Sequence, residues 1–149
     1  IVKQAREMGI ESAILAPDGF GAEEFVELAG AENVNNFYYT AHYTTGEGAT
    51  DKTTEFVEAF KAEYGSAPNM FDALGYDAAY LVADAAERAG EDDRQAITDA
   101  LAETTDFEGV TGTFSFDENH NPVKTAYIIE MENGGEVGSS AVSPEDIAN

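Results

Sequence analysis

Residues 69–90, NMFDALGYDAAYLVADAAERAG, constrain the fold of this chain more than any other stretch. Phe71, Leu74, Ala78, Leu81, Ala85 and Ala89 recur at three- and four-residue spacings, which lays an apolar stripe along a helix. Asp77, Asp84 and Glu87 fall toward the opposite side, where water can solvate them. Alanines inside a helix cost little side-chain entropy and permit close approach to a sheet or a second helix. Pro68 and Asn69 punctuate the front, and Gly90 supplies a C′ residue at the back. Such a helix needs a partner surface.

The segments before it alternate between helical and strand patterns. IVKQAREM reads as the last turns of an amphipathic helix ending at Gly9, and Ser12 to Ala16 is a short apolar run suited to a buried strand. Pro17-Asp18-Gly19 then turns the backbone, and Gly21 to Ala29 reads as a helix that stops at Gly30. The turn therefore sits at the carboxyl end of a strand, where open α/β sheets hold their ligands. Phe37 to Ala41 is an aromatic-rich strand, and HYTTGEGA after it is a loop or hinge. Thr50 or Asp51 caps a helix to about Tyr64, and Asp92 or Asp93 caps another that turns Ala96, Ile97, Ala100 and Leu101 inward.

Beyond residue 109 the character changes. Val110 to Phe116 and Thr125 to Met131 have strand composition and are expected to pair as a hairpin through DENHNPVK. Asn133, Gly134 and Gly135 form another turn, and the remaining EVGSSAVSPEDIAN, without periodicity, reads as a loosely packed tail.

Charge bounds the partners. Thirty acidic residues against seven basic ones give a net charge of -23, which repels nucleic acid and anionic membranes. The acids are interleaved with apolar residues rather than gathered in a tail, so a packed core is expected. Adaptation to high salt, a halophilic source, accounts for such a surface; an ordinary acidic protein is the plainer alternative. The absence of cysteine excludes disulfides and thiolate chemistry and leaves the redox compartment open. No apolar run is long enough for a membrane-spanning helix. Ile1 does not resemble a native start, and a leader can lie upstream of it.

Catalytic and metal signatures are missing. His42 and His120, the two histidines, have no short ligand spacing, and no metal site is expected from them. Asp117, Asn119 and Asn121 imitate the opening of a calcium loop, but Pro122 replaces the turn glycine and Ile128 the closing glutamate. No phosphate-binding glycine loop and no nucleophile elbow occur, so no catalytic residue and no cofactor is assigned. Asp18 is the one acid in a favourable context, able to face a ligand ammonium from the strand-to-helix turn; a plain turn or capping aspartate is the alternative. Phe71 is either an apolar cleft wall or a core residue, and Tyr43 either a cleft or an exposed loop residue.

Four segments in order carry a resemblance: IVKQAREMGIESAILAPDGF, FYYTAHYTTG, TEFVEAFKAEYGSAPNMFDALGYDAAYLVADAAERAG and DFEGVTGTFSFDENHNPVKTAYIIE. Together they resemble the leucine/isoleucine/valine-type substrate-binding proteins of branched-chain amino-acid ABC transporters, over the carboxyl-terminal portion. The resemblance implies an α/β, type I periplasmic-binding-protein-like fold: part of a two-lobe receptor with a parallel sheet, flanking helices and a carboxyl-terminal hairpin. Residues 1–36 would belong to the second lobe, 37–41 to a crossing strand and 42–108 to the first lobe. Residues 109–131 would cross back through the hairpin, and 132–149 would form the tail. The family's ammonium-binding acid falls on Asp18, shorter than the glutamate of many members, and its cleft aromatic falls on Phe71. The implied function is reversible capture of a branched-chain or related amino acid for an ABC permease, outside the cell or in the periplasm. An upstream receptor segment would complete the cleft and carry a membrane anchor. A sensing module of the same fold is the alternative, and an enzyme a distant one.

Overall fold

The computed structural model describes residues 1–147. Its elements run α1 (Val2–Glu7), β1 (Ile14–Ala16), α2 (Glu23–Ala29), β2 (Phe37–Ala41), α3 (Asp51–Tyr64), α4 (Met70–Ala89) and α5 (Arg94–Ala102). There follow β3 (Phe107–Gly109), β4 (Gly112–Phe116), β5 (Pro122–Val123), β6 (Ala126–Glu132), β7 (Gly135–Val142) and α6 (Pro144–Ile147).

A four-stranded sheet has the order β1-β2-β6-β7, and a smaller one the order β3-β4-β5. The sheet expected to be parallel is mixed: β1 and β2 are parallel, but β6 joins β2 antiparallel and β7 joins β6 antiparallel. Alternation explains the choice of partner. Phe37, Tyr39 and Ala41 of β2 and Tyr127, Ile129 and Met131 of β6 are all buried, and their pairing puts two apolar rows on one face. Phe20 and Phe25 cover that face, with ring centroids 5.7 and 5.0 Å from Phe37.

The expected hairpin between residues 110–116 and 125–131 does not form. The turn after Asp117 returns β4 into the two-residue β5, and β6 pairs with β7 instead. Asn133 and Gly134 make that second turn with φ of 50° and 73°, the left-handed pair that matches strand twist. A Cβ on Gly134 would lie 2.7 Å from Val26, so the turn is also packed against α2. The segment read as a loose tail thus contains an edge strand and a short helix; residues 148 and 149 lie outside the described residues. Its missing periodicity has a cause: β7 is exposed along most of its length, so neither face needs an apolar row.

Local signals set the helix ends. Thr50 caps α3 in a reciprocal box with Thr53, Asn69 caps α4 with Asp72, and Asp93 accepts from Gln95 and Ala96. The stripe on α4 is rotated from its expected position. Met70, Ala73, Asp77 and Ala85 are buried, whereas Phe71 is 46% exposed and Ala78 is also exposed. Asp77, expected to face water, is 4% exposed. Three donors from the β3–β4 turn reach its carboxylate, and these offset the cost of burying it.

Candidate functional site

Parallel pairing builds the site. Ala16 lies opposite Tyr39 across β1 and β2, so both strands end on the same side and their following residues become neighbours. After β1 the chain passes Pro17 in an extended conformation and makes a single 3-10 turn over Asp18–Phe20. Phe20 holds the turn down, its ring edge against Phe25 with centroids 4.9 Å apart. Gly21 leaves room for the Tyr39 ring, which a Cβ would meet at 3.1 Å.

The Asp18 carboxylate, 44% exposed, stands 3.6 Å from Nε2 of His42, the first residue after β2. The His42 N–H in turn donates to Sδ of Met70, the buried first residue of α4, at 3.3 Å. Phe71 comes next, its backbone N–H fixed by the Asn69 side chain at 2.8 Å. Three chain segments therefore meet here, and the link from Asp18 toward Phe71 runs through His42 and Met70.

Tyr43 occupies a different place. It is 8% exposed and lines a cleft of 550 Å³ with Gly21, Tyr39, Asp72 and Glu136 among its walls. Burial, with Glu136 and Asp72 adding their negative fields, pushes its hydroxyl up to about 12. That hydroxyl has no hydrogen-bond partner among the described residues. Tyr39 is raised further, first by burial and then because its hydroxyl donates to Glu136. A larger cavity, 960 Å³, lies between α3, α4 and β3 and is walled by Phe56, Phe60, Tyr64, Tyr76 and Tyr80. Asp18, His42, Tyr43 and Phe71 do not line it.

Asp18 and Phe71 are thus linked only through His42 and Met70, Tyr43 faces a neighbouring cleft, and His42, read as an ordinary loop residue, is the group beside Asp18. Its position directly after the second of two parallel strands is the signal that would have found it. Among the described residues no group of three or more histidines or carboxylates is placed to hold a metal ion, and no helix is long and apolar enough to cross a membrane.

A family model, described as periplasmic binding protein, matches residues 1–136. The chain belongs to the periplasmic binding protein family. Its fold is the α/β, type I arrangement of that family, here with a mixed sheet and flanking helices. Among solved structures this periplasmic binding protein chain is similar to the branched-chain amino acid transporter substrate binding protein of Streptococcus pneumoniae in complex with isoleucine. They are 45% identical with a TM-score of 0.88, over 96% of this chain and 40% of that one. A leucine binding protein of Thermotoga maritima is 36% identical with a TM-score of 0.90, over 98% of this chain and 41% of that one. The leucine-, isoleucine-, valine-, threonine- and alanine-binding protein of Pseudomonas aeruginosa is 29% identical over 118 residues, 79% of this chain and 31% of that protein. The chain therefore spans between about a third and two fifths of the length of these relatives.

Proposed function

We propose that this chain is the carboxyl-terminal part of a two-lobe receptor that captures a branched-chain or related amino acid for an ABC permease. The observation that carries the reading is the half-exposed Asp18 carboxylate at the joined carboxyl ends of β1 and β2, on a fold shared with amino-acid receptors. Asp18 receives the ligand ammonium through charge-assisted hydrogen bonds. Phe71 presents its exposed ring as an apolar wall, and each aliphatic CH₂ buried against such walls contributes about 0.8 kcal/mol. Tyr43 bounds the neighbouring cleft and sets its polarity. An upstream segment supplies the groups for the ligand carboxylate and covers the aromatic face of α3 and α4. The ligand then shifts an open–closed equilibrium by its differential affinity for the two forms, and no covalent bond changes. The receptor works outside the cell or in the periplasm, held at the membrane through that upstream segment.

Titration calorimetry of the whole receptor tests this with leucine, isoleucine, valine and the matching acids that lack the amine. Leucine-type amino acids should bind, and Asp18→Asn should weaken them by about 10- to 100-fold, the loss of a charged hydrogen bond. Deaminated acids that bind as tightly as the amino acids would remove Asp18 from the ammonium role.

A further inference from the structure

The chain leaves the four-stranded sheet at Ala41 and rejoins it at Ala126. Between those points lie α3, α4, α5 and the small sheet, so the return segment, together with the outgoing contact of His42 on Met70, sets their angle to the large sheet. The return segment has little of its own to fix it. β5 is two residues long and exposed on both, and the turn residues 118–121 before it are exposed as well.

One side chain anchors it. Lys124, two residues before β6, donates from Nζ to Oγ1 of Thr111 at 2.6 Å and stands 5.4 Å from the Phe114 ring centroid. Thr111 is 4% exposed and passes the contact on, its hydroxyl donating to Oδ2 of Asp77 at 2.6 Å. Asp77 also accepts from the backbone of Val110 at 2.7 Å and of Thr111 at 2.9 Å. Thr53 of α3 donates to the Val110 carbonyl at 2.8 Å, so both long helices hold the same turn. Gly109 is required beside it, because a Cβ there would collide with the Asp77 carboxylate. The string Lys124–Thr111–Asp77 thus runs from the return segment to the middle of α4, through a hub fixed independently from α3. A buried polar string with every member satisfied specifies one arrangement, and a partly satisfied one does not.

We infer that Lys124 is a positioning residue: docked on Thr111 and through it on Asp77, it sets the orientation of α3–α5 relative to the four-stranded sheet. Its consequence for affinity rests on the proposed roles of Asp18 and Phe71, because turning the helices moves Phe71 relative to Asp18. The orientation itself does not depend on that reading.

Residual dipolar couplings measured on this chain without ligand test the inference for wild type, Lys124→Met, Thr111→Val and Lys124→Arg. Lys124→Met should keep the couplings internally consistent within α3–α5 and within the large sheet, while rotating one set against the other. Thr111→Val, which keeps both charges and removes the hydroxyl between them, should do the same and decides the matter where Lys124→Met does not fold. Lys124→Arg, still a donor, should restore the wild-type orientation. The inference is overturned by a wild-type orientation in both Lys124→Met and Thr111→Val, or by loss of internal consistency in place of rotation. Isoleucine affinity of the whole receptor should fall about 3- to 10-fold with Lys124→Met, the size of a coupling carried at a distance. A wild-type receptor that binds no amino acid sinks the proposed ligand while the couplings still decide the tether.

Discussion

Tyr43 keeps a hydroxyl inside the protein with no group among the described residues to bond it, although an ordinary buried hydroxyl finds a partner. Tyr43→Phe removes the stranded group and leaves the ring in place. It should raise stability by about 1 kcal/mol, read as a higher urea midpoint; a lower midpoint would mean that the hydroxyl is satisfied in solution. The same residue predicts an alkaline limit. Its folded pKa of about 12 lies above the ordinary 10, so stability is unaffected by its titration below about pH 10 and falls as pH rises from 10 through 12. Lys124 works in the other direction. Burial lowers it to about 8 against the opposing field of Asp77, so burying the ammonium costs stability in full below that pH and the cost is relieved between about 8 and 10.5. Urea midpoints of wild type should therefore rise over that window relative to Lys124→Met; parallel pH profiles would show that Lys124 titrates as an exposed lysine. Asp77 carries more. Asp77→Ala strands the donors of Val110 and Thr111 inside the protein, and should cost about 2–4 kcal/mol in an unfolding titration. A loss below about 0.5 kcal/mol, the size of an ordinary surface change, would contradict its burial.

At the scale of elements, α4 depends on a cap that its sequence announces. Asn69 accepts from the N–H groups of Phe71 and Asp72 at 2.8 and 3.1 Å, and Asp72 returns the favour to the Asn69 N–H at 2.9 Å. Asn69→Ala should cost about 1 kcal/mol and fray the turn that carries Phe71. Thermal unfolding measures the first effect and amide exchange at Phe71 the second; no change in either would mean that Met70, through His42, is enough to hold the helix start. The helix starts and stops were legible because caps, prolines and glycines act within a few residues. Strand partners were less so. Thr125 to Met131 has the composition of a strand, yet its alternation fits β2 and β7 as well as any neighbour, and only the assembled core selects among them.

For the whole molecule the net charge of -23 is the dominant fact. Self-repulsion among thirty carboxylates opposes the compact state and is screened as the Debye length falls from about 10 Å at 0.1 M salt to about 3 Å at 1 M. The melting temperature should therefore rise with sodium chloride across that range; a flat or falling profile in circular dichroism would show that the acids are already balanced locally. Three salt bridges among the described residues, all at least partly exposed, do little to balance them.

What short-range physics controls is legible along the chain: the α/β alternation, the helix limits, the acidic surface, and Asp18 on a turn at the end of a strand. Tertiary structure alone decided which strand pairs with which, that residues 135–142 form an edge strand, that Asp77 turns inward, and that His42 stands beside Asp18. The stripe of residues 69–90 shows why. A helical period locates the apolar face only to within one neighbouring row, because a step of three or four residues is not a whole turn. Donors brought from residues 110 and 111, more than thirty positions away, chose the row that contains Asp77. Such contacts exist only once the chain has folded.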